Sequence, residues 1–261
     1  MKKGRLKYII IIVIIVVYGI GMYLVFGVDE SRERRATTTL LIGDETVLNY
    51  TSRQWLNVTS QELLSSINWQ DFNVYIDNEY FGNYLVWRDD RWYLFNQNRE
   101  AVSYQGNDFF AYKAGFEMDV LPFQTTQITD FSYVNQVLEN HGLASNPSYT
   151  LTEFSSFDFD KDGVNEDFYI VSNVFATDFF PDQYFSFVFM VDNNSIYMMY
   201  EDVDQNDGVN GCKPNLYTVA DVDDDRDYEI VLMCSKYSNQ TPVVMLYEFQ
   251  DNAFKIEISN Q

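Results

Sequence analysis

Two acidic segments constrain this chain most: Asp158, Phe159, Asp160, Lys161, Asp162, Gly163, Val164, Asn165, Glu166, and then Asp221, Val222, Asp223, Asp224, Asp225, Arg226, Asp227, Tyr228, Glu229. Each sets carboxylates at alternate positions and then runs into β-branched and aromatic residues, so each reads as the tip of a β-hairpin. Carboxylates this close repel one another unless a cation sits among them. Ca²⁺ accepts six to eight oxygens at about 2.3–2.6 Å from a flexible loop, which makes it the cofactor these tips call for.

In the first tip Asp158, Asp160 and Asp162 stand at positions 1, 3 and 5, Gly163 permits a sharp turn, Val164 can offer its carbonyl and Glu166 closes the set at position 9. It is not an EF-hand, because Tyr169 stands where a bidentate Glu is required and the flanks have strand character. The second tip keeps Asp221, Asp223, Asp225 and Glu229, but Arg226 replaces the glycine. A non-glycine residue held at positive φ costs on the order of 1 kcal/mol. The alternative at both tips is a solvated acidic turn. A third cluster, Asp202, Asp204, Asn206 and Asp207 before Gly208, has the composition of a metal loop and equally that of an ordinary turn.

The arrangement resembles the calcium loops of the FG-GAP and VCBS repeats of integrin-type β-propellers and bacterial surface proteins, Asp-x-Asp-x-Asp-Gly-x-x-Asp followed by an apolar strand, here Phe168 to Val171. The resemblance covers the two tips and the strand after each. It departs at Glu166, which replaces the last Asp, and at Asp167, which adds a charge. It implies bound Ca²⁺ and propeller-like blades, and the 63-residue interval between Asp158 and Asp221 suits a blade-sized repeat.

From Tyr8 to Val28 no residue is charged. At about 1.5 Å per residue this run spans roughly 31 Å, the thickness of a bilayer's hydrocarbon, and reads as a single N-terminal transmembrane helix. A cleaved signal peptide is the alternative, although no small-x-small site follows. Lys2, Lys3, Arg5 and Lys7 precede the run, while Arg32, Arg34 and Arg35 follow it. The positive-inside tendency then puts residues 1–7 in the cytoplasm and the rest outside the cell. The expected divisions are a cytoplasmic tail at 1–7, the span at 8–28, a juxtamembrane segment at 29–50, a β-meander at 51–125 and a β-rich calcium-loop region at 126–261.

Beyond the span, 13 basic residues face all 39 acidic ones, a net charge of −26. Such a surface excludes nucleic acid and favours cations, basic proteins or glycans as partners. Cys212 and Cys234 flank the second tip at nearly equal distances, and a hairpin whose paired residue numbers sum to about 446 sets them opposite each other. A cross-strand disulfide and an oxidising compartment follow; two separate buried thiols are the alternative.

The remaining pattern is mainly β and antiparallel. A hairpin is expected over Thr37–Ile42 and Glu45–Tyr50, turning at Gly43 and Asp44. A capping box from Thr59 to Glu62 announces a short helix ending near Ile67. Short strands at Asn73–Ile76, Tyr84–Trp87, Trp92–Phe95, Ala101–Tyr104 and Phe109–Tyr112 suggest a meander, with their aromatics serving as core. A second helix is expected at Phe131–His141, capped by Asp130 and stopped by Gly142.

No nucleophile elbow, phosphate loop or zinc spacing is present, and the one histidine, His141, suits a helix end better than a triad. The expectation is a non-catalytic, single-pass surface protein whose calcium-stabilised acidic β ectodomain serves adhesion or binds an envelope partner. The alternatives are an accessory subunit of a membrane complex and a surface glycoside hydrolase working through paired carboxylates.

Overall fold

A computed structural model describes residues 38–44, 46–51, 54–89, 91–105, 109–113, 118–143, 149–174, 184–204, 211–236 and 242–259, without the side chains of 204 and 236. The expected tail and membrane span lie outside these residues. Among the described residues no helix is long and apolar enough to cross a membrane.

Residues 38–113 supply strands β1 (Thr38–Ile42), β2 (Thr46–Thr51), β3 (Gln54–Asn57), β4 (Asp71–Ile76), β5 (Glu79–Arg88), β6 (Trp92–Phe95), β7 (Ala101–Val102) and β8 (Phe109–Lys113), with helix α1 (Gln61–Ile67) between β3 and β4. The rest supplies β9 (Asp119–Val120), β10 (Thr126–Gln127), helix α2 (Ser132–Asn140), β11 (Leu151–Phe157), β12 (Glu166–Ser172), β13 (Tyr184–Asp192), β14 (Ser195–Asp204), β15 (Cys212–Asp221), β16 (Glu229–Lys236), β17 (Val243–Gln250) and β18 (Ala253–Ser259).

They form three antiparallel sheets, ordered β3-β2-β1-β8-β4-β5-β6-β7, β10-β11-β12-β13-β14 and β18-β17-β16-β15-β9. The sheets stack face to face and do not close into a propeller. Leu40, Ile42, Phe110 and Tyr112 of the eight-stranded sheet meet Tyr217, Val231, Val244 and Leu246 on one face of the β15–β18 sheet. The opposite face of that sheet, through Val219, Ile230, Leu232 and Met245, meets Phe168, Ile170, Val188 and Met190 of the β11–β14 sheet. Helix α1 covers the outer face of the first sheet through Leu64 and Ile67, and α2 covers the outer face of the last through Val134, Val137 and Leu138.

This layering explains the strand sequences. A strand covered on both sides has no solvent face, so β13 and β17 read as nearly unbroken apolar runs. Three two-residue hairpins, at Asp77–Asn78, Asn193–Asn194 and Asp251–Asn252, have both central residues at positive φ, the twist that suits tight antiparallel turns.

Several expectations need correction. The hairpin expected at 37–50 forms as β1 and β2, so from Thr38 onward the segment read as juxtamembrane belongs to the eight-stranded sheet. The meander is interrupted, because β8 inserts between β1 and β4 instead of following β7. The capping box does not form: α1 starts after Ser60, whose side chain makes no cap bond. Helix α2 agrees with expectation within a residue, with Asp130 Oδ1 accepting the Ser132 N–H at 2.9 Å and Gly142 at φ +70° ending it.

Candidate metal centre

Both acidic segments occupy the same place in the fold. The first joins β11 to β12 and the second joins β15 to β16, each linking the first two strands of a four-strand antiparallel meander. Their backbones repeat as well. Lys161 and Asp224 sit at φ +63° and +62°, and Gly163 and Arg226 at +90° and +84°. The Gly163 N–H donates to Asp158 Oδ2 at 3.1 Å, and the Arg226 N–H donates to Asp221 Oδ2 at 3.0 Å. Arg226 therefore adopts the backbone conformation that its glycine counterpart takes freely.

The last acid of each tip lies at the start of the returning strand and folds inward. Glu166 and Glu229 are only 2% and 3% exposed. Glu166 Oε2 accepts the Phe159 N–H at 2.6 Å, and Glu229 Oε2 accepts the Val222 N–H at 2.8 Å. Each thereby ties the two ends of its loop.

The clusters differ in their members. Carboxylate oxygens of Asp158, Asp160 and Glu166 lie within 4.8 Å of one another, as do those of Asp221, Asp223 and Asp225. Asp162 stands outside the first cluster, its Oδ1 accepting the Val164 N–H at 2.7 Å, and Glu229 stands outside the second. Val164, expected to offer its carbonyl, has its side chain in solvent. The third expected cluster is absent from the groups found among the described residues, and residues 205–210 lie outside them.

Burial and mutual repulsion disfavour the charged forms of these carboxylates. Burial raises the pKa of Glu166, and the Asp160 charge raises it further against the opposing Phe159 hydrogen bond. Burial also lifts Glu229 well above the ordinary carboxylate range, opposed by the Val222 N–H and reinforced by Asp223, Asp225 and Asp221. Asp221 is raised by burial and by Asp225, while the Arg226 N–H and the Lys161 ammonium act the other way. Two buried oxygens of the first cluster, Asp158 Oδ1 and Glu166 Oε1, have no hydrogen-bond donor. A buried acceptor left unmatched costs about 1–3 kcal/mol, and an ion among these oxygens removes that cost.

Three side chains outside the expected ligand set shape the centre. Lys161 reaches from the first tip to the second: its Nζ donates to Arg226 O at 2.6 Å, lies 3.8 Å from the centre of the Tyr228 ring and is 3.7 Å from Asp119 Oδ2. Asp119 Oδ2 also accepts the Tyr228 hydroxyl at 2.7 Å. From the eight-stranded sheet, Tyr50 donates its hydroxyl to Asp223 Oδ2 at 2.9 Å. A lone lysine within an acidic run is visible in sequence. Asp119 and Tyr50 carry no local signal, because long-range pairing and sheet stacking bring them in.

No family model, curated protein or solved structure matches the chain.

Cys212 and Cys234 are joined in a disulfide, with Cα atoms 5.4 Å apart. Their register differs from expectation. Cys234 faces Pro214 and Cys212 faces Lys236, so the bridge is diagonal, and a bulge between Leu216 and Thr218 shifts the pairing again toward the tip. His141 stays at the end of α2, its Nδ1 2.8 Å from Val137 O and its Nε2 3.1 Å from Glu201.

Proposed function

We propose that this chain is a non-catalytic, single-pass cell-surface protein whose acidic β domain is braced by Ca²⁺ at both tips and serves adhesion or binding of an envelope partner. The observation that carries this reading is Glu166: buried, raised in pKa, and holding Oε1 without a donor beside Asp158 and Asp160. Asp158, Asp160 and Glu166 would hold one ion, and Asp221, Asp223 and Asp225 the other. The ion supplies charge neutralisation to loops that already have matching backbones. Loops of this kind need calcium at the level found outside cells, which agrees with an outward-facing domain and with the Cys212–Cys234 bridge. The resemblance to FG-GAP and VCBS repeats rests on the two acidic tips alone.

The test is thermal melting of the full chain in mild detergent. Millimolar Ca²⁺ raises the midpoint over that in EDTA, and Asp160→Ala reduces the rise. Equal midpoints in the two media would refute the reading.

A further inference from the structure

The eight-stranded sheet is wider than the five-stranded sheet stacked on it, and its β4–β5–β6 portion presents an aromatic face. Trp69, Trp87 and Phe95 form a half-buried trio there, with ring centres 5.1 Å apart for Trp69–Trp87 and 5.0 Å for Trp69–Phe95. None of the three belongs to the core clusters that join the layers. The opposite faces of the same strands bury Phe72, Val74, Val86 and Leu94 completely or nearly so, which shows what these strands look like when covered.

Beside the trio runs a row of amides. Gln97 Nε2 donates to Asp71 Oδ1 at 2.7 Å and to Asn83 Oδ1 at 3.3 Å, and Asn83 Nδ2 donates to Asn73 Oδ1 at 3.3 Å. The register sets Asn73 opposite Asn83, and Leu85 opposite both Asp71 and Phe95, so row and rings share one face. Asn83 and Gln97 are exposed and Asn73 is half-buried, and the longer bonds among them exchange readily for those of a ligand.

Against a chain net charge of −22, Asp71 on this face accepts from the neutral Gln97 amide, and the Arg99 guanidinium lies 5.0 Å from the Trp69 ring centre. A basic partner finds no carboxylate cluster here. Half-exposed rings next to neutral amide donors and acceptors match a chain of sugar rings, which offers apolar C–H faces and hydroxyl edges.

We propose that the face formed by Trp69, Trp87 and Phe95 with Asn73, Asn83 and Gln97 binds an uncharged polysaccharide chain. This deepens the adhesion reading and rests on it for an outward-facing domain, but the binding surface itself contains no metal ligand.

The test is tryptophan fluorescence of the full chain in mild detergent, titrated with cellohexaose, chitohexaose and mannohexaose in calcium and again in EDTA. Trp55 and Trp92 are buried, so emission changes report Trp69 and Trp87. At least one hexaose produces a saturable change, weakened tenfold or more by Trp87→Ala. The exposed pair Asn83→Ala with Gln97→Ala weakens it likewise, and serves if Trp87→Ala does not fold. No saturable change with any hexaose in either medium, or binding indifferent to the Asn83 and Gln97 substitutions, overturns the proposal. Self-association abolished by those substitutions also overturns it, because the face would then belong to a second copy of the chain. Failure of the calcium reading appears separately, as equal melting midpoints in the two media.

Discussion

Gly163 and Arg226 offer a reciprocal test of whether the two tips are one structural device. Both sit at nearly the same positive φ, and a Cβ built at Gly163 meets nothing within 4 Å. The cost of Gly163→Ala is therefore conformational. Holding an L-residue in the left-handed region costs about 1–2 kcal/mol, from which about 0.4–1 kcal/mol is recovered because alanine restricts the unfolded chain. The net is a loss of about 0.5–1 kcal/mol, or about 1–4 °C in midpoint for a domain of this size. Arg226→Gly makes the opposite exchange and should raise the midpoint by a similar amount. Circular dichroism melts of the full chain, in calcium and in EDTA, measure both, and the signs hold in either medium because the strain is in the backbone. A Gly163→Ala midpoint at or above that of the native chain, together with a lowered Arg226→Gly midpoint, would refute the equivalence of the tips.

Lys161→Met removes the ammonium that joins the tips through Arg226 O and the Tyr228 ring, and should cost about 1–2 kcal/mol in a denaturant titration. An unchanged midpoint would mean that the tips are not braced against each other. Burial pushes the phenols of Tyr169 and Tyr247 up to about 12. A phenol raised on folding contributes stability that is complete below the ordinary value near 10 and is lost as pH rises through the folded value. Phenolate absorbance should therefore fall clearly short of completion at about pH 11, where an ordinary phenol is about nine-tenths ionised, and near-complete ionisation at that pH with the circular dichroism intact would contradict this.

Much of the β structure was legible because the turns are chemically explicit. The Asp–Asn and Asn–Asn pairs, and the acidic tips themselves, punctuate runs that have no helical period. Layer order could be read in retrospect from β17, where Val243 to Tyr247 leaves no polar position for a solvent face. Alternation in β4, with Asn73 and Tyr75 between Phe72, Val74 and Ile76, marks the half-exposed face in the same way. Insertion of β8 between β1 and β4 was not legible, since nothing in Phe109–Lys113 names its distant partners. The cysteine register was missed by two residues because the loop between Ala220 and Glu229 is centred further along the chain than symmetric spacing of the cysteines assumes, and the bulge near Tyr217 recovers only one residue of that offset. At the acidic tips the carboxylates were legible, but not which of them each loop gathers: Glu166 joins Asp158 and Asp160, while Glu229 stands apart from Asp221, Asp223 and Asp225 although both glutamates accept the matching loop N–H, a difference made by loop conformation and not by spacing.

The central claim is that a divalent cation satisfies the buried carboxylates, and Glu166→Gln tests it most directly. Without metal, a neutral amide at this site avoids the desolvation that raises the Glu166 pKa, so the variant should melt above the native chain in EDTA. In millimolar Ca²⁺ the native carboxylate gains a ligand bond that the variant lacks a charge to match, and the order should reverse. The account predicts that crossing. A variant displaced in the same direction in both media would contradict it.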